Sequence, residues 1–85
     1  MEIKCYDFTE NDVWEMNLVQ ILDAAFDKKW HLLVWVGEKD DYYPHKLRVR
    51  LVDNVGRIPE GWGYLKMLQD SMGYFWHVIT YVERD

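Results

Sequence analysis

The residue pattern predicts a small α+β domain with βαββαβ order. This is the ferredoxin-like arrangement of a four-stranded antiparallel sheet with two helices on one face. Three observations predict it: an apolar arc at helical spacing near the N-terminus, a segment that alternates cleanly, and two segments apolar on both parities. The 85 residues make a single domain, residues 1–85, near the lower end of domain sizes.

The first element spans Glu2 to Phe8, where Ile3 and Cys5 alternate with Glu2 and Lys4 and predict a strand with Ile3 and Cys5 buried. Thr9 then precedes Asp12 by three residues, the pattern of a helix N-cap. Glu10, Asp12 and Glu15 near the start, with Lys28 and Lys29 at the end, would complement a helix dipole. Between them Trp14, Leu18, Val19, Ile21, Leu22, Ala25 and Phe26 fall within an arc of about 160° at helical spacing. Trp14, Ile21, Leu22 and Phe26 are the expected core of this helix.

Trp30 to Val36 is apolar on both parities apart from His31, as in a strand covered on both faces. Gly37 to Asp41 reads as a polar turn. Lys46 to Val52 follows Pro44, with Leu47, Val49 and Leu51 inward and Lys46, Arg48 and Arg50 outward. The two strands and the short polar segment predict a hairpin. Asp53 to Gly63 is a loop broken by Gly56, Pro59, Gly61 and Gly63. A second helix is predicted from Tyr64 to Met72, with Leu65, Leu68 and Met72 on one side and Gly73 as its stop. Tyr74 to Val82 is the last strand, again apolar on both parities.

Composition narrows the function. The chain has ten Lys and Arg against fifteen Asp and Glu, a net charge of −5, which argues against a dedicated DNA-neutralising surface. The charge is uneven: residues 1–41 hold ten acidic and four basic groups, residues 42–85 five and six. No run approaches the roughly 18 to 20 apolar residues that span a bilayer, and the start lacks the pattern of a signal peptide. One cysteine, Cys5, leaves no internal disulfide and fits a reducing cytoplasm. Aromatics make up 16% of the chain, with five Trp, six Tyr and three Phe. A small core needs such rings, and Trp and Tyr are also the residues of interface hot spots.

Motifs for chemistry are weak. Gly61-Trp62-Gly63 offers two glycines of a dinucleotide fingerprint, but Lys66 stands where the third belongs and no strand precedes it. Gly56 to Gly61 has the length of a phosphate loop, but Trp62-Gly63 replaces its Lys-Ser/Thr pair. Cys5, His31, His45 and His77 lack short ligand spacings, so no metal or other cofactor is expected. Glu38, Asp40 and Asp41 lack the ligand order of a calcium loop. Glu15 inside the helical arc, or His77 with Tyr81, could act as acid or base, but no nucleophile–base–orienter set is visible.

The stripe Lys46, Arg48, Arg50 beside aromatic strands is comparable to RNA-binding sheets, without their glycine–aromatic signature. A charged edge that blocks strand pairing is its plainer explanation. Two-sided apolar strands need a cover, so the expected function is a non-catalytic protein-binding module docking through an aromatic sheet face. Its expected contacts are Trp35, Trp62, Trp76 and Tyr81, with Arg48 and Arg50 setting orientation. The expected partner is another protein or a second copy of this chain, with no membrane partner. Chains of this kind are commonly small regulators, adaptors or inhibitors, those of phages and mobile elements included. Nucleic-acid binding through Lys46, Arg48 and Arg50 is the alternative, and a small enzyme with a site assembled across strands the second alternative.

Overall fold

A computed structural model describes residues 1–40 and 43–84. Their elements are β1 (Glu2–Asp7), β2 (Val13–Met16), β3 (Leu18–Phe26), β4 (Leu32–Glu38), β5 (His45–Asp53), β6 (Gly63–Gln69) and β7 (Phe75–Arg84). All pairings are antiparallel. One sheet has three strands in the order β1-β4-β3, the other four in the order β2-β5-β7-β6. The shortest dimension of the molecule, 19 Å, matches two sheets about 10 Å apart with side chains on their outer faces. The fold is all-β, which overturns the α+β, ferredoxin-like expectation.

The first expected helix is two strands of different sheets, β2 and the bulged β3, and the second is the bulged strand β6. In β3 the register against β4 shifts between Leu18 and Gln20 and again between Ile21 and Asp23. Each bulge inserts one residue and resets the alternation. The residues paired with the inward positions of β4 are therefore Leu18, Ile21, Ala24 and Phe26. Steps of three imitate a helix, although each comes from a strand. Of the expected helical core, Ile21 and Phe26 do pack on the interior, whereas Trp14 is 37% exposed at its rim. β6 repeats the device: its register shifts between Tyr64 and Lys66, and Leu65 and Leu68 meet the core three residues apart.

Other local expectations change with the fold. β1 forms where alternation places it, but its faces are exchanged: Ile3 is 64% exposed and Cys5 is exposed, while Tyr6 packs on the core. The Thr9 hydroxyl caps no helix; it accepts the N–H of Leu32 at 2.8 Å. β4 and β5 lie in different sheets, so they form no hairpin. Gly37 and Glu38 of the expected polar turn belong to β4; Asp41 lies outside the described residues.

The core sits between the sheets and is filled by Val34 and Val36 of β4, Leu47 and Val49 of β5, and Val78 of β7, each 2% exposed or less. Truncating such a side chain typically costs about 2 to 5 kcal/mol. The chain passes from one sheet to the other at Asn17, between β2 and β3. Glu38 secures this corner: its carboxylate accepts the Asn17 N–H at 2.8 Å and the Tyr6 hydroxyl at 2.7 Å, with Lys4 Nζ 3.5 Å away. Burial first, and then the bond to Glu38, push the Tyr6 phenol up to about 12.

Two hairpins close with one turn design. In the β3–β4 turn the N–H of Trp30 donates to the Asp27 carbonyl at 3.1 Å, and the Asp27 N–H donates to that of His31 at 3.0 Å. In the β6–β7 turn Gly73 donates to Asp70 at 3.1 Å, and Asp70 to Tyr74 at 2.9 Å. Each aspartate also accepts the N–H groups two and four residues on. The fourth residue of each turn is left-handed, φ 63° at Trp30 and 84° at Gly73.

Candidate functional site

The outer face of the four-stranded sheet gathers several exposed rings and cations. Directly paired residues share a face, so the register from Glu15↔Lys46↔Glu83 through Arg48↔Tyr81 and Arg50↔Ile79 to Val52↔His77 places these side chains together. Tyr64, opposite Ile79, and Met67, opposite His77, extend the same face onto β6. The aliphatic ladder Leu47, Val49 and Leu51 takes the inner face, as the alternation of β5 predicts.

Trp62 reaches this face through a turn. Its N–H donates to the Pro59 carbonyl at 3.2 Å, and Gly61 between them has φ 89°. Glycine at this third position is what a type II turn requires. The turn lays the Trp62 ring 5.6 Å from that of Tyr81, at 37°. Arg50 completes the group, its Cζ 5.1 Å from the Trp62 centroid. A guanidinium on an indole is held by the ring's negative face, worth about 0.5 to 1 kcal/mol at exposed sites. Beside the group Ile79 is 1% exposed, although its side chain points away from the other sheet.

Beside this stack lies a second small network. The Tyr64 hydroxyl is 2.8 Å from His77 Nδ1, and His77 Nε2 is 3.2 Å from Asn54 Oδ1. With the Asn54 carbonyl accepting from Nε2–H, Nδ1 accepts the proton of the phenol. His77 thus pairs with Tyr64, while Tyr81, its expected acid–base companion, stacks on Trp62. The network stiffens an exposed surface, with Tyr64 53% exposed. Tyr64 and Asn54 escape sequence reasoning because the helix assigned to residues 64–72 hid Tyr64 from β7.

The six expected contact residues divide. Arg48, Arg50, Trp62 and Tyr81 converge on this face. Trp76 belongs to the other side of β7, paired with Asp53 and Leu68, and its indole N–H donates to Asp70 Oδ2 at 3.0 Å. Trp35, half-buried, stands on the outer face of the three-stranded sheet between Cys5 and Asp23. The cationic stripe is also interleaved with acids: Lys46 lies between Glu15 and Glu83, and Arg48 Nε is 3.8 Å from Glu83. Arg50 has no ion-pair partner among the described residues.

The remaining chemical candidates stay apart. Glu15 is exposed on β2, so burial does not activate it. Burial first, and Asp7 second, push the Cys5 thiol up, which keeps it protonated and poorly nucleophilic. His31 lies 3.0 Å from Asp7 and 3.8 Å from Asp27 at one end of the sandwich. Among the described residues no three His, Cys, Asp or Glu side chains gather as metal ligands, and no helix is long and apolar enough to cross a membrane.

Comparison with protein-family models, curated proteins and solved structures finds no match. The chemistry of the site must follow from its geometry. A surface with an arginine, two stacked rings and further exposed apolar groups can bury area and orient a partner.

Proposed function

We propose that this chain is a non-catalytic protein-binding module, a small regulator, adaptor or inhibitor, that docks through the outer face of its four-stranded sheet. The observation that supports this most is the Arg50–Trp62–Tyr81 stack on a sheet face where Tyr64, Met67 and Tyr81 stand exposed. Trp, Tyr and Arg are the residue types that dominate binding energy at interfaces. Their mutual stacking also holds them in place before a partner arrives, which lowers the ordering cost of association. Arg50 retains its N–H donors for a carboxylate or carbonyl of the partner. The acids interleaved along Lys46 and Arg48 suit a mixed-charge protein surface better than a phosphate backbone, whose binding rests on accumulated positive charge. The reading places this function in a reducing cytoplasm, where the free Cys5 needs no disulfide partner.

Site-specific photocrosslinking tests the reading. A photoreactive group at Tyr81 is expected to yield a discrete protein adduct that the same group at the exposed Val19 does not. Trp62→Ala should reduce that adduct at least about tenfold, the loss expected on removing a hot-spot ring. Equal adducts from both positions, or an adduct indifferent to Trp62, would place the interface elsewhere. Adducts with nucleic acid would favour the other partner class.

A further inference from the structure

The two sheets end in four strands, β1 and β3 in one and β2 and β6 in the other. End strands invite pairing with other chains, and proteins blunt them by shortness, bulges, cover or charge. β2 has only four residues. β3 and β6 are bulged, and Lys66 Nζ on β6 reaches Asp23 on β3 at 2.9 Å. β1 instead pairs with β4 along all six of its residues in unbroken register. Its only protection is charge, and its two outlying charges, Glu2 and Lys4, are of opposite sign.

The backbone groups on the outer edge of β1 follow from its pairing. The Phe8 N–H donates to the Leu32 carbonyl at 2.8 Å, and groups two residues apart point to the same edge of a strand. Glu2, Lys4 and Tyr6 therefore turn their backbone to β4, while Ile3, Cys5 and Asp7 turn theirs outward. The Asp7 carbonyl accordingly accepts the Trp14 indole N–H from β2 at 2.8 Å. That indole caps the edge at Asp7. Among the described residues no strand pairs with Ile3 or Cys5 on the outer side. Their side chains add an apolar row with Met1, which is 69% exposed, Ile3 64% and Cys5 exposed as well.

We infer that β1 pairs antiparallel with β1 of a second copy of this chain across a twofold axis, making one continuous sheet of the two three-stranded ones. Charge selects the register. Outward groups bond only to outward groups, so Ile3 and Cys5 allow three centres for the axis. Cys5 against the partner's Cys5 brings Ile3 to the partner's Asp7, whose carbonyl the indole already occupies. Ile3 against the partner's Cys5 sets Lys4 directly against the partner's Lys4, and like charges directly opposite are destabilising. Ile3 against the partner's Ile3 sets Glu2 against the partner's Lys4 and Lys4 against the partner's Glu2. Only this register has neither fault.

The surrounding charges agree with it. Glu38, Lys39 and Asp40 line the hollow beside Glu2. The carboxylates where the partner's Lys4 arrives, Glu2, Glu38 and Asp40, thus outnumber the ammonium groups, Lys4 and Lys39. Lys4 itself is 3.5 Å from Glu38 with its side chain 46% exposed, so it remains open to the partner's Glu2. On the opposite face Ile3 packs on the partner's Ile3, and Cys5 on the partner's Met1. This edge belongs to the other sheet from Arg50, Trp62 and Tyr81, and the inference does not rest on the sheet-face reading.

Sedimentation equilibrium of the full chain tests it. A short edge interface is weak, so a dimer is expected to form as concentration rises from about 10 μM to about 1 mM. Ile3→Pro removes an N–H that faces outward, which an edge strand tolerates. It should keep the amide spectrum of the folded chain and weaken dimerisation at least about tenfold. Glu2→Lys and Lys4→Glu should each weaken self-association at least about tenfold, and mixing the two folded variants should restore a dimer of one with the other. Ile3→Cys combined with Cys5→Ser should form an intermolecular disulfide at least about tenfold faster than Cys5 of the parent chain, because only position 3 faces its own copy. A strict monomer at about 1 mM, a dimer indifferent to Ile3→Pro, or charge variants that stay apart on mixing would each overturn the inference. So would faster crosslinking through Cys5, which would centre the axis there.

Discussion

The turns Asp27–His31 and Asp70–Tyr74 are closed by the same four hydrogen bonds, two from the backbone and two to an aspartate carboxylate. They differ at the left-handed position, where one has Gly73 and the other Trp30. Gly73 is the residue the backbone prefers there. Trp30 is a residue the backbone only tolerates, so its side chain must supply the reason for its presence. Part of that reason is the contact with Phe26, 5.7 Å between ring centroids. The two aspartates differ as well. Asp70 accepts the Trp76 indole in addition to its turn N–H groups, whereas the second oxygen of Asp27 lies 3.8 Å from His31.

Forcing the glycine turn to resemble its counterpart should have the largest effect. Gly73→Val places a branched Cβ in the left-handed region and should destabilise by about 2 kcal/mol, measured as a lower urea midpoint at unchanged slope. A Cβ there meets the Gln69 side chain only at ordinary contact distance, 3.6 Å, so the cost is that of the backbone. If the midpoint stays in place, the left-handed geometry is not what shapes this turn.

The reverse exchange is smaller and separates ring from backbone. Trp30→Ala loses the ring and keeps the strain; Trp30→Gly loses the ring and relieves it. The glycine variant should be more stable than the alanine variant by about 1 kcal/mol. Equal stabilities would mean that Trp30 is not strained.

Acid is the mildest probe. The Trp76 indole N–H, followed by backbone N–H groups of the turn, holds the Asp70 carboxyl below its ordinary value. A depressed carboxyl contributes stability that is complete above the ordinary carboxylate range and is lost as pH falls through the depressed value. Urea midpoints followed from neutral pH to about pH 3 should therefore fall less steeply for Asp70→Asn than for the parent chain. Parallel curves would show that this carboxyl is not coupled to folding.

These contrasts also mark where the sequence was legible. Strands β1, β4, β5 and β7 follow from alternation or from two-sided apolar runs, and the inward row Leu47, Val49, Leu51 was readable residue by residue. β3 and β6 were not, because bulges at their register shifts set inward residues three apart. Thr9 and Asp12, with lysines at the far end, reinforced the wrong period, although in the structure they serve turns and strand edges. Within the candidate site Arg48 and Arg50 were visible from parity, and Trp62 only as an aromatic of a glycine-broken loop, its turn onto the sheet being unread. Tyr64 and Asn54 required the pairing of β6 with β7, which no local pattern encodes.

The order of strands has a kinetic consequence. β3–β4 and β6–β7 join neighbours in the chain, while β1–β4, β2–β5 and β5–β7 join distant segments. Loop-closure entropy delays pairings between remote segments, and sheets dominated by them fold in milliseconds to seconds. The two aspartate turns are thus the local units able to form before the long-range pairings are made, on the microsecond scale of hairpins. If they form the nucleus, Gly73→Val slows refolding and leaves the unfolding rate nearly unchanged. The corner at Asn17, which can close only once both sheets exist, would then govern how fast the molecule comes apart.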